Sequence, residues 1–179
     1  MVPDVENMRS KSSKREHGFT LLELMTAVAV AAVLLAVGVP QLRDLTIQQR
    51  ITGATQDLHV DLASARNEAV TRATSVTVCV SSDMLTCTND GWGNGRLTFI
   101  DANANGVIDA GELVVRQSLP LATGLTTTAA PAAGFVTFNS RGQTAALTIG
   151  ICDSGYVGRN IDIKTTGHAS VVTQAAACP

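Results

Sequence analysis

The stretch DANANGVIDAGE, from Asp101 to Glu112, has the spacing of a calcium loop. Asp101, Asn103, Asn105 and Asp109 fall at loop positions 1, 3, 5 and 9, Gly106 at 6 and Glu112 at 12, with Val107 offering its carbonyl at 7. Alternate residues of a tight loop point inward, the glycine permits the sharp turn, and the closing glutamate brings two oxygens. The same residues also make a metal-free turn, because Asn, Asp and Gly are turn formers. Two amides in place of carboxylates lower the charge offered to a cation, and strands rather than helices are predicted on either side. Ca2+ is thus a candidate ligand, and no cofactor is required.

Cys79, Cys87, Cys152 and Cys178 form two sequence-local candidate pairs, one closing a short loop and one tying the C-terminal segment back. Four cysteines allow three connectivities, and the sequence does not choose among them. No C-x-x-C spacing occurs and His17, His59 and His168 are scattered, which argues against zinc. Nor is there a G-x-S-x-G, a P-loop or an H-E-x-x-H, so no enzyme is indicated. Arg141, Arg159 and Lys164 could form a small cationic patch for phosphates. The net charge is −2 and Arg9, Lys11, Lys14 and Arg15 all precede the apolar run described next, so the rest of the chain is more acidic still. Solvated strand-edge charges are the plainer reading of the three downstream cations.

One acid stands out by its surroundings. Glu23 is the only charged residue between Phe19 and Leu42. Those residues would make roughly 36 Å of helix, enough to cross a hydrocarbon layer of about 30 Å. The run is too long for the apolar core of a cleavable secretory signal. The basic residues before it predict, by the positive-inside rule, a cytoplasmic N-terminus and an exported remainder. In an exported domain the cysteines read best as disulfides.

Beyond Pro40, Ile47, Ile51, Ala54, Leu58, Leu62, Ala65 and Ala69 recur at steps of three and four, the stripe of an amphipathic helix. Asp44, Gln48, Asp57, Asp61, Glu68 and Arg72 are assigned to its other face. One long helix is therefore predicted from Phe19 to about Ala73, with Gly53 as a weak point. The period then changes to two. Strands are predicted at 75–81, 96–100, 113–117, 135–138, 146–152, 160–164 and 169–173, separated by Gly, Asn, Asp or Pro. One helix and about seven strands make an α+β fold, with a sheet wrapped on the helical stripe. The chain divides into a leader (1–18), an apolar helix (19–42), an amphipathic helix (43–73) and a β-rich head (74–179).

The residues KREHGFTLLELM resemble the prepilin leader and N-terminus of type IV pilins and type II secretion pseudopilins: basic residues, then Gly18, Phe19 and an acid at the fifth position after the glycine. The segments SARNEAVTRATSVTVCV, GWGNGRLTFIDANANGVIDAGE and FNSRGQTAALTIGICD resemble the GspH/FimT family of minor pilins and pseudopilins, a likeness running from Gly18 to about Ser170. The resemblance implies a type IV pilin-like fold and a non-enzymatic filament subunit of a type IV pilus or type II secretion machine. It implies cleavage by prepilin peptidase after Gly18, N-methylation of Phe19, an inner-membrane stage, and other pilins or pseudopilins as partners through the N-terminal helix. Glu23 would then pair with the free amino group of a neighbouring subunit, since either charge alone in lipid costs several kcal/mol. Some FimT-like members are implicated in DNA uptake through a Gly-Arg-x-Arg motif. Here the corresponding TTGHASV has His168 and Ser170 where the arginines would be, which counts against DNA as a partner.

Overall fold

The computed structural model describes residues 19–177. Gly18 and Cys178 lie outside the described residues. Helix α1 covers Leu21–Arg72 and is followed by eight strands: β1 (Val76–Ser81), β2 (Gly95–Ile100), β3 (Val114–Ser118), β4 (Thr126–Ala130), β5 (Phe135–Phe138), β6 (Leu147–Cys152), β7 (Val157–Ile163) and β8 (Ala169–Ala177). Two compact units divide at Leu42 and Arg43.

In the first unit, α1 starts on a cap. The Thr20 hydroxyl accepts the Glu23 N–H at 3.2 Å. Thr-x-x-Glu is the spacing of a capping box, in which the N-cap hydroxyl satisfies a donor that the helix itself cannot. From there to Leu42 every residue is exposed except the half-exposed Gly38, and Pro40 is accommodated within the helix.

In the second unit the remainder of α1 is the centre of the core. Ile51, Leu58, Leu62, Ala65 and Ala69 are wholly buried. At about 1.5–3 kcal/mol for each large side chain removed from water, this stripe is a main source of stability. From Ala54 to Ala69 it packs in one cluster with Val76, Val78, Val80, Val136 and Phe138 from one sheet and Leu147, Ile149, Ile151, Ile161 and Ile163 from another. The sheets have strand orders β3-β2-β1-β5 and β4-β6-β7-β8, antiparallel throughout. Two sheets therefore cover the helix where one was predicted. The added strand is β4, TTTAA, a sheet edge with alternating exposure. It has no large apolar residue and so carries little of the pattern by which strands are recognised.

The helix ends at Ala73, whose φ is 52°, with Thr74 N–H bonded to Ala69 C=O at 3.2 Å and Ala73 N–H to Val70 C=O at 3.3 Å. This is a Schellman closure with alanine where glycine is usual. Trp92 is buried in the core cluster and donates its Nε1–H to Ala133 C=O at 2.8 Å, an anchor for its loop.

Candidate assembly interface and binding sites

Phe19 is 82% exposed, and Leu21, Leu22, Leu24, Met25, Val28, Val30, Val33, Leu34, Leu35, Val37 and Val39 are likewise turned outward. A soluble protein does not carry a continuous apolar surface of this length without a use for it. The helix is long and apolar enough to cross a membrane. Among the described residues no ion pair involves Glu23. Its carboxylate lies in the first helical turn, where the helix dipole favours an anion by about 0.3–1 kcal/mol at an aqueous surface.

Asp61 is the opposite case. The sequence pattern assigned it to the solvent face, but it is only 1% exposed. Its Oδ2 accepts Arg96 Nε–H at 2.8 Å, and its Oδ1 accepts the Ser118 hydroxyl at 2.8 Å and lies 2.9 Å from Arg116 Nε in an ion pair. The sheet explains the meeting. Arg96 pairs with Ser118, and Thr98 with Arg116, across β2 and β3. Arg96 is also opposite Val80 on β1, so these residues share the face that carries Val76, Val78 and Val80 toward the helix. The sequence held a signal for this: position 61 is one turn from Leu58 and from Ala65 and belongs to the buried stripe by spacing. Arg96 is itself buried, and its Nη1 has no acceptor. Such an orphan donor costs about 1–3 kcal/mol.

The Asp101–Glu112 loop folds largely on its own side chains. Asp101 is fully buried. Its carboxylate accepts the Thr77 hydroxyl at 2.7 Å and the N–H groups of Asn105 at 3.1 Å and Gly106 at 2.9 Å. The amides of Asn103 and Asn105 both donate to Asp109 Oδ2 at 2.9 Å, and Glu112 accepts Asp109 N–H at 2.9 Å. The Val107 side chain is exposed. Among the described residues no three acidic, histidine or cysteine side chains are grouped to hold a metal ion. The loop instead packs Ile108 against the second core cluster of Cys79, Leu97 and Phe99, on the sheet face turned away from the helix.

Cys79 and Cys87 are disulfide-bonded, with Cα atoms 5.6 Å apart. Within the loop they close, Asp83 accepts N–H bonds from Thr86 at 2.8 Å and Leu85 at 2.9 Å and hydroxyl bonds from Thr86 and Ser81. These donors, the Thr86 N–H first, hold its carboxyl well below the usual carboxylate range. Cys152 is also disulfide-bonded, while Cys178 lies outside the described residues. The Tyr156 hydroxyl donates to Asp44 at 2.8 Å, and this bond pushes the phenol above its ordinary value.

Arg159 is the third residue of β7 and Lys164 follows its last residue, Ile163, roughly 17 Å along at the rise of a strand. Arg159 lies beside α1 at Gln48, Thr52 and Gln56. Arg141 is in the turn between β5 and β6, whose backbone meets the β7–β8 turn through Thr144 N–H to Thr165 C=O at 3.2 Å. Arg66, which the sequence did not single out, joins that end through bonds to Gly142 C=O at 3.1 Å and Thr166 C=O at 3.2 Å.

A long N-terminal helix packed on antiparallel sheets is the α+β architecture of type IV pilin-like proteins, and comparisons with solved structures agree. The type IV minor pilin FimU of Pseudomonas aeruginosa superposes with a TM-score of 0.58 at 25% identity, over 72% of this chain and 92% of that one. The minor pseudopilin EpsH of the Vibrio cholerae type II secretion system has a TM-score of 0.50 at 12% identity, over 74% and 99%, a likeness of fold alone. Residues 54–167 match the family described as type II transport protein GspH, and residues 13–39 match the prokaryotic N-terminal methylation motif. The chain belongs to the GspH family of minor pseudopilins and pilins, a structural and non-enzymatic class. A fimbrial protein of Pseudomonas aeruginosa is 37% identical over 57 residues, 32% of this chain. The chain spans about a third, 36%, of the length of the curated relatives it matches.

Proposed function

We propose that this protein is a filament subunit, matured by cleavage between Gly18 and Phe19 and methylation of the new amino terminus, and assembled through α1 into a type IV pilus or type II secretion filament. The observation that carries the reading is the apolar helix from Leu21 to Leu42, exposed except at the half-exposed Gly38, with one acid, Glu23, in its first turn that has no ion pair among the described residues. The methylation-motif match spans the Gly18–Phe19 junction and supports the same reading. Before assembly the helix sits in the inner membrane with its N-terminus cytoplasmic and its head outside. In the filament the amino group of a neighbouring Phe19 neutralises Glu23, which makes the carboxylate a register mark. Capture of DNA is the disfavoured alternative, because His168 and Ser170 stand where the arginine motif would be.

The Thr20 cap takes only the backbone N–H of Glu23, so a side-chain substitution tests the charge and leaves that cap in place. Glutamine keeps the capping-box geometry but not the charge. Glu23→Gln is therefore expected to insert in the membrane, to be cleaved before Phe19 as read by mass spectrometry, and to keep the unfolding transition of the head. It should nevertheless fail to enter sheared filaments. Normal incorporation of Glu23→Gln would refute the pairing, and a mature protein still beginning at Met1 would refute the whole assembly reading.

A further inference from the structure

Between α1, the β2–β3 edge and the segment that follows β3 lies a cavity of about 460 Å3. That volume is within the range of small-ligand sites. Its lining includes Asp61, Arg96 and Arg116, with Arg50 and Asp57. Two guanidiniums share the one Asp61 carboxylate, so the cluster carries one positive charge in excess. Asp57 is exposed and solvated and does not neutralise a buried guanidinium. Arg50 is engaged with the Thr123 carbonyl. Arg96, 2% exposed, has an Nη1 with no acceptor. Arg116 is bound to Asp61 through Nε, and its side chain is 44% exposed.

We propose that this cavity is a binding site for a carboxylate on a short apolar stem. A guanidinium presents its donors as a planar fork that matches a carboxylate; Arg116 is half-exposed at the cavity, and beside it the enclosed Arg96 Nη1 has no acceptor. One excess charge calls for a monoanion, and a phosphate dianion would overcompensate it. Ala54, Leu119, Pro120 and Leu121 line the rest of the cavity and suit a few methylene groups. The same chemistry is offered by a glutamate side chain of a neighbouring polypeptide and by a free aliphatic acid.

The two sources separate in one titration. The full chain, labelled with 15N-arginine in neutral detergent micelles, is titrated at constant ionic strength with butyrate, with glutamate blocked at both backbone ends, and with inorganic phosphate. Saturable shifts of the Arg96 and Arg116 side-chain N–H signals, with a dissociation constant on the order of millimolar, are expected for at least one carboxylate. Tighter binding of the blocked glutamate assigns the site to a polypeptide partner, and tighter binding of butyrate assigns it to a free acid. Arg116→Gln leaves the Asp61–Arg96 pair in place, so it should fold as the parent and bind about tenfold more weakly or worse. Absence of saturable shifts with both carboxylates, equal shifts with phosphate, or undiminished binding by folded Arg116→Gln would each overturn the proposal. Because filament entry is not the readout, these outcomes stand apart from those of the Glu23 test.

Discussion

Glu23 and Asp61 are acids on the same helix, and they solve the problem of a charge among apolar residues in opposite ways. Asp61 is enclosed and finds two cations and a hydroxyl within its own fold. Glu23 is exposed on an apolar surface, and its own fold provides no cation among the described residues. A charge completed internally helps define one tertiary structure. A charge left incomplete on an exposed apolar surface is, under the proposed assembly, what defines how copies or partners must meet. Two further acids fall between them. Asp101 is as buried as Asp61 but is satisfied by N–H and O–H donors alone, and Asp83 is exposed and held by its own turn.

The contrast is broken most severely by Arg96→Leu, which leaves Asp61 enclosed with only the half-exposed Arg116 and Ser118. A loss of about 3–5 kcal/mol is expected in denaturant unfolding of the full chain in detergent. A loss below about 1 kcal/mol would mean that water or Arg116 already satisfies Asp61, and that the two acids differ less than their burial suggests.

Asp83 should give a smaller effect that depends on acidity. Its folded-state value lies below the unfolded value near 3.9, so its contribution is complete above about pH 4. It is lost as the pH falls from there through the folded value. The melting-temperature difference between the parent and Asp83→Ala is accordingly expected to shrink steadily below pH 4. A difference that is constant down to pH 2 would show that the turn is held by the backbone and not by the charge.

The smallest effect is expected at Asp101. Its oxygens are already occupied by Thr77 and the two backbone donors, and the amides of Asn103 and Asn105 turn their nitrogens toward Asp109. Millimolar calcium should leave the melting temperature within a degree or so, the limit of weak or absent linkage. A rise of several degrees would place Asp101, Asn103, Asn105, Asp109 and Glu112 around a cation and change the account of that loop.

Much of this architecture was legible from spacing. The stripe Ile47 to Ala69 is buried as its three-and-four repeat predicted, and the helix ends within a residue of Ala73. Periodicity reports how side chains alternate, however, and not which element they face. Asp61 was assigned by polarity when its position in the turn placed it inside. β4 was missed because Thr and Ala at a sheet edge give almost no alternation of hydrophobicity. One sheet was expected instead of two because the inward residues of both sheets share the same Val, Ile and Leu character. Glu23 was the most legible site residue, since a lone acid in an uncharged run needs no tertiary information to be noticed.

The order in which the core is collected along the chain has a consequence for biogenesis. The helical stripe ends at Ala69, while Leu147 to Ile163, which cover it from the second sheet, come much later. At about 5–20 residues per second, synthesis leaves that greasy seam half-clothed for roughly 5–20 seconds. The nascent head is thus most open to mispairing just when its apolar helix has already emerged, and the β6–β7 hairpin acts as the latch that ends this vulnerable interval.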